Sequence, residues 1–281
     1  MVPRRPTRLS VGCQLVGRYV ALMVLDDGGA QIDPPTLPEN IALMQEIDAQ
    51  IAAAARHRTR QQDLAARLAA AVPEAVTMIE ARVLERDAPH AREEDLRGGI
   101  ARHLRSCGEL VLTEAKLTVP GWTDSLGGFD LAVVVDDSLV VAETKWADGN
   151  LYESMWDILK LGSALAIARV DAAVAIYGAP AKHWQRPDSC ARLFEDREIF
   201  THRLIRHFPR EWAINLAGSA AQPLEVPSQL KLTLISQAST EVRGKAWEVR
   251  AVSVSSEYQS LELTNGWPEG VEPAASQPLS W

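Results

Sequence analysis

Hydrophobic and polar positions follow two different periods along this chain. From 38 to 86 the period is helical. Ile41, Met44, Ile47 and Ile51 recur at helical steps, and an Ala-rich run continues with Leu64, Leu68 and Val72. Pro73 begins or kinks a second helix over 74–86. Another helix is predicted over 91–106, with Leu96, Ile100 and Leu104 on its apolar face and Gly108 as its stop. The period then becomes that of strands, over 110–119, 128–135 and 139–146. A helix over 151–168 follows, then a strand over 172–177 that Gly178 and Pro180 end. Residues 189–208 read as helix and 211–216 as a short strand. Two further stretches alternate, 230–235 and 245–254, with Gly244 near the turn between them. They either extend the sheet or form a small β-hairpin appendage. Residues 1–36 are poorly patterned, and Gly98-Gly99 inside a predicted helix suggests close packing against the sheet.

This order predicts an α/β fold. Its core is a sandwich of helices around a mixed central sheet, with an N-terminal helical region and a C-terminal β-hairpin. The expected organisation is an N-terminal extension and helical region over 1–88, a core over 89–220, a β-rich extension over 221–265 and a loose tail over 266–281.

Composition narrows the classes. With 47% hydrophobic residues in 281, a sizeable core needs no disulfides. Cys13, Cys107 and Cys190 are far apart and odd in number, so neither a disulfide framework nor a structural zinc site is expected. No stretch has the apolar length of a membrane span. A soluble, cytoplasmic protein with no membrane partner is the expectation. The net charge of −8 argues against a large basic surface. It leaves room for a carboxylate-rich metal site and for local basic patches. Lys182, Arg186, Arg192, Arg197, Arg203, Arg206 and Arg210 could track a phosphate backbone, but Asp188, Glu195, Asp196 and Glu198 among them favour a solvated helix of mixed charge.

The candidate chemistry sits on the second and third predicted core strands. In the second, Phe129, Leu131, Val133 and Val135 alternate with Asp130, Ala132 and Val134. In the third, Val141, Glu143 and Lys145 share a face. If Asp136-Asp137 is a two-residue turn, Val135 pairs with Ser138 and Asp130 lies opposite Glu143. Directly opposite Cβ atoms sit about 4.5–5.5 Å apart. Two carboxylates that close need a cation between them or a shared proton. A hard divalent cation suits oxygen ligands of this kind. A three-residue loop without a bulge would put the carboxylates on opposite faces. The plain alternative is a surface hairpin with Glu143 and Lys145 in solvent, but Val134 and Val141 on the same faces argue for burial.

Asp130, a gap, then Glu143-Thr144-Lys145 resembles the signature of the PD-(D/E)XK nuclease superfamily, which includes restriction endonucleases and Holliday-junction resolvases. The predicted order of helix, three strands, helix and strand is similar to that family's restriction-endonuclease-like core. The resemblance covers residues 90 to 180. Phe129 stands where the proline of the family name would, a position that varies among members. The resemblance implies that Asp130 and Glu143 coordinate Mg²⁺, with Mn²⁺ as a substitute and the Thr144 carbonyl as a further ligand. It implies that Lys145 orients or deprotonates the attacking water and offsets charge on the phosphate. Members often add an acidic residue from the preceding helix. Glu93 is the candidate, because its spacing to Leu96 and Ile100 puts it on the buried face, and Glu94 is the alternative. The helix after the third strand offers Tyr152, Trp156, Asp157 and Lys160. The implied function is metal-dependent hydrolysis of phosphodiester bonds in nucleic acid, DNA before RNA. The rival is an inactive protein of the same fold that serves in binding or assembly. The N-terminal helices offer a surface for a homodimer or another protein partner. A hydrolase of another small phosphoester is a third reading.

Overall fold

The computed structural model describes residues 10–16, 19–25, 38–85, 91–116, 128–146, 151–167, 170–185, 193–201, 224–264 and 267–268. The chain forms two compact units, Met1–Arg58 and Thr59–Trp281. In the first, β1 (Ser10–Val16) and β2 (Tyr19–Leu25) form an antiparallel hairpin. This hairpin was not predicted. β2 reads Tyr-Val-Ala-Leu-Met-Val-Leu, apolar on both faces, and a strand without a polar face leaves no period of two to detect. Helix α1 (Pro38–Ala69) begins in the first unit, and its residues from Thr59 onward belong to the second.

The second unit is α/β. It continues with α2 (Val72–Glu85), α3 (Glu93–Ser106), β3 (Leu110–Lys116), β4 (Gly128–Val135), β5 (Ser138–Trp146), α4 (Leu151–Ile167), β6 (Ala172–Pro180) and the short α5 (Ala181–Trp184). Then come β7 (Arg197–Phe200), β8 (Leu224–Val242), β9 (Lys245–Thr264) and β10 (Trp267–Pro268). The strands form one mixed sheet in the order β3-β4-β5-β6-β9-β8-β7, with β10 paired to β9. Among the described strands only the β5–β6 neighbours are parallel, and α4 is the crossover that a parallel pair requires. The β8–β9 hairpin is a full part of the sheet, since β9 pairs with β6 from Ala173↔Val254 to Pro180↔Trp247.

Alternation along the strands divides the core into two layers. Val140, Ala142, Val174, Ile176, Val249 and Ala251 face α2, α3 and the end of α1. Val141, Ala173, Ala175, Val252 and Val254 face α4. Burying one apolar face of each helix against each side of the sheet is what holds these layers together.

Several predicted elements need correction. β6 does not end at Gly178 but runs through it to Pro180. Residues 197–200, expected in a helix, form edge strand β7, paired antiparallel with β8. The rest of the predicted helix over 202–208, the strand over 211–216, and the cations Arg186, Arg192, Arg203, Arg206 and Arg210 lie outside the described residues. Gly99 packs not on the sheet but on α2, where an added Cβ would come 2.8 Å from the Ala75 Cα. Gly178 makes a still closer approach, because a Cβ there would overlap the Trp146 ring. That ring is wedged edge-on against Trp247, with centroids 5.5 Å apart. Gly178→Ala is therefore expected to lower stability by about 1–3 kcal/mol, as overpacking of a filled core does. A urea midpoint that falls at unchanged slope would show it, and an unchanged midpoint would contradict this packing.

Candidate active site

The β4–β5 hairpin has the register expected from a two-residue turn. Val135 pairs with Ser138, and the ladder runs to Leu131↔Ala142. Asp136 and Asp137 have φ of 47° and 61°, the two positive values that a type I′ turn demands. Residues of α1 pin the turn. Arg67 pairs with Asp136 and, at 2.8 Å, with Glu109, and Arg60 donates to Ser138 Oγ at 2.6 Å.

Beyond Leu131 the ladder gives way. In place of a main-chain acceptor, Asp130 Oδ2 takes both the Thr144 N–H and the Thr144 hydroxyl, each at 2.8 Å. Arg97 of α3 donates to the other oxygen at 3.1 Å and to Glu114 at 3.1 Å. Glu114 sits on β3 between the Thr113↔Leu131 and Ala115↔Phe129 pairs, at φ 54°. Strict alternation breaks here on both strands. Phe129 and Ala115 pack with the α4 layer, whereas Leu131, Val133 and Val111 pack with the α3 layer. The expected single face for Phe129, Leu131, Val133 and Val135 is thus corrected. So is the expected face of Asp130, whose carboxylate meets α3 and Thr144.

Glu143 and Lys145 lie on the other face of β5, toward α4. Glu143 is 5% exposed and forms an ion pair with Lys160. Lys145 Nζ lies 3.6 Å from Asp157 and 3.9 Å from Glu153. The α4 residues are spaced Glu153, Asp157 and Lys160, so one helical face meets one strand face. Lys160 also lies 3.7 Å from Asp157 and donates to the Gly128 carbonyl at 2.8 Å. Thr144 has its N–H turned toward β4. In a strand the carbonyl of the same residue turns the same way, toward the side where the ladder has opened.

Glu93 opens α3 and is half-buried, while Glu94 is exposed. Burial raises the Glu93 pKa, Lys145 lowers it, and Asp130 and Asp157 raise it further. The influence of these three groups ties the α3 terminus to the same site. Burial, then the neighbouring Asp157 charge, pushes Glu143 well above the usual glutamate range, against the opposing pull of Lys160. Burial likewise raises Asp157, opposed by Lys160 and Lys145. Burial lowers the Lys145 pKa, but the charges of Asp157, Glu93, Asp130 and Glu153 outweigh it and raise the net value. Lys145 is therefore held as an ammonium. It can offset phosphate charge and orient water, and it is a poor base.

The charge balance explains these shifts. Among the described residues six carboxylates (Glu93, Glu114, Asp130, Glu143, Glu153 and Asp157) face three cations (Arg97, Lys145 and Lys160). No hydrogen bond of regular geometry reaches the buried Glu143 Oε1 or Asp157 Oδ2, which meet lysines only as ion pairs. A surplus of hard oxygen donors at a part-buried site fits a hard divalent cation in charge and chemistry. The side chains do not stand in a closed ligand shell. Among the described residues no three of His, Cys, Asp or Glu are arranged to hold a metal. The expected facing pair of Asp130 and Glu143 carboxylates is replaced by two carboxylates held by Arg97 with Thr144 and by Lys160.

The raised carboxyls give stability an unusual pH dependence. Between its ordinary pKa of 4.5 and its raised pKa in the fold, the Glu143 carboxyl is ionised in the unfolded chain and protonated in the fold. The folded state then binds more protons, so stability falls as pH rises through this window and levels off above the raised folded pKa. Glu143→Gln is expected to flatten the fall in urea midpoint as pH rises above the ordinary glutamate range. A variant with the wild-type slope would contradict the burial of this carboxyl.

Glu153, Asp157, Lys160 and Arg97 are the site residues that motif reading did not assign. Asp157 and Lys160 were available on α4, and their spacing with Glu153 was the signal. Arg97, four residues after Glu93, carried the same signal on α3. The side chain of Tyr152 lies outside the described residues. Trp146, Trp247, Lys182, His183 and Lys245 line a cavity of about 480 Å³. Among the described residues no helix is long and apolar enough to cross a membrane. Comparison of the chain with protein-family models, with curated proteins and with solved structures finds no match.

Proposed function

We propose that this protein is a metal-dependent phosphodiesterase of the PD-(D/E)XK kind, with a restriction-endonuclease-like core formed by α3, β3, β4, β5, α4 and β6. The observation that carries this reading is the company of Lys145. It shares a strand face with buried Glu143, its ammonium lies 3.6 Å from Asp157 and 3.9 Å from Glu153 on α4, and the charges of Glu93 on α3 and Asp130 on β4 help to hold it protonated. A surface hairpin would have no reason to gather acidic groups from four elements around one lysine. The desolvation cost of doing so is high unless the site has a charged partner.

Asp130, Glu143, Glu93 and the Thr144 carbonyl would hold Mg²⁺ or Mn²⁺, with Asp157 as a further oxygen donor. A bound divalent ion supplies polarisation of a phosphate oxygen and a lowered pKa for its water. The chain's own residues do the rest. Lys145, protonated, sits beside the acidic groups and neutralises charge that develops on the phosphate. Asp157 and Glu153 fix the direction of its ammonium. Thr144 fixes Asp130 through two hydrogen bonds, and Arg97 holds its second oxygen. Lys182 and Lys245 line the cavity that also contains Trp146 and would offer cationic contacts to phosphates, in keeping with a nucleic-acid substrate. Ile51 on α1 is 60% exposed, an apolar position for a homodimer or another protein partner.

The second reading, a binding protein without catalysis, draws on Lys160 and Arg97, which already neutralise the two main carboxylates. Incubation with labelled DNA and RNA in Mg²⁺, Mn²⁺ or EDTA separates the readings. We expect DNA cleavage with either metal and none in EDTA. No product from any nucleic acid with either metal would overturn the catalytic reading.

A further inference from the structure

Lys160 has no place in the proposed chemistry, yet it is the most completely engaged cation in the site. Its side chain is 8% exposed. Its ammonium meets the Glu143 carboxylate as a close ion pair, lies 3.7 Å from Asp157 Oδ1 and donates to the Gly128 carbonyl at 2.8 Å. It also stands 5.2 Å from the centre of the Phe129 ring. These partners surround it with two carboxylates, a carbonyl and an aromatic face. Apart from the ring, these are oxygen donors of the kind a hard divalent ion takes.

We infer that Lys160 is a built-in counter-ion that holds the divalent-cation site closed, its ammonium standing where a metal would meet Glu143 and Asp157. The inference rests on the metal-site reading above. Mg²⁺ requires oxygen ligands at about 2.0–2.1 Å in near-ideal octahedral geometry. It cannot reach Glu143 Oε1 while an ammonium is in contact with the same oxygen. The two cations also repel strongly in a buried setting. Metal entry therefore requires Lys160 to swing out, and its interactions with Glu143, Asp157 and Gly128 weaken metal affinity. The orphaned geometry of Glu143 Oε1 fits this view, because the Lys160 ammonium supplies the charge there without completing a regular hydrogen bond.

Calorimetric titration of the full chain with Mn²⁺ tests the inference. Lys160→Met keeps the apolar stem and removes the charge. It is expected to bind Mn²⁺ at least about tenfold more tightly than wild type, because a competing cation has been removed. Lys160→Arg, which keeps the charge, is expected to bind no more tightly than wild type. Equal dissociation constants for wild type and Lys160→Met would overturn the role of Lys160 while leaving the metal site standing. Failure of both proteins to bind Mn²⁺ would overturn the metal site itself. If Lys160→Met does not fold, acetylation of wild-type lysines, mapped by mass spectrometry, decides. Greater Lys160 labelling with Mn²⁺ supports its expulsion, and unchanged labelling overturns it.

Discussion

Glu143→Ala is expected to lower stability by about 3 kcal/mol, the lower end of the cost of breaking a buried ion pair. For a unit of this size that corresponds to a thermal midpoint about 6–12 °C lower. Both members of the pair are buried. Removing the carboxylate leaves the Lys160 ammonium with Asp157 at 3.7 Å and the Gly128 carbonyl as its remaining polar contacts. Those partners hold the loss to the lower end. Glu143→Gln is expected to cost less, because the amide oxygen still accepts from Lys160. The double variant Glu143→Leu with Lys160→Met is expected to be more stable than Glu143→Ala, since no charge is then left buried at the pair. Urea denaturation checks all three. A Glu143→Ala midpoint equal to wild type would mean that Glu143 and Lys160 are solvated, and the site as described would not exist.

Lys145→Met is expected to lower phosphodiester cleavage by about 10²–10³-fold, the scale of removing one preorganised charge from a developing anion. The fold should tolerate this change better than the loss of Glu143. Lys145 is part-exposed, and Asp157 keeps Lys160 as a second cation. Lys145→Arg is expected to retain part of the rate, because the charge survives but its geometry does not. The raised Lys145 pKa sharpens this prediction. If the ammonium is the working form, the wild-type rate does not fall on the acid side because Lys145 gains a proton. A Lys145→Met protein that folds and cleaves at the wild-type rate would remove Lys145 from the chemistry.

The parts of this structure that were legible in the sequence are those set by local rules. The Asp136-Asp137 turn fixed the hairpin register, because only one count of loop residues keeps Val135 opposite Ser138. The helical period placed α1 to α4 closely, and the α3 spacing separated Glu93 from exposed Glu94. Long-range effects were not legible. Asp130 leaves its expected face because β3 and β4 lose their alternation together at Glu114, whose φ of 54° depends on both strands. The Arg97 bridge that spans Glu114 and Asp130 joins residues far apart in sequence. Residues 197–200 read as helix because charges interrupt the pattern, whereas an edge strand of four residues needs only Ile199 to face inward. Lys160 looked like one more polar residue on α4. Its role became visible once Gly128, Phe129 and Glu143 were brought around it.

The most direct test of the centre is the single-turnover rate of DNA cleavage in Mg²⁺ by wild type and by Asp130→Asn. The substitution keeps the shape and an acceptor for Thr144 while removing the charge. The expected result is a rate at least about 100-fold lower at an unchanged fold, because Asp130 is a proposed ligand of the ion that supplies the Lewis acid. A folded Asp130→Asn protein that cleaves DNA at the wild-type rate would contradict the assignment of Asp130, Glu143 and Lys145 as the active centre.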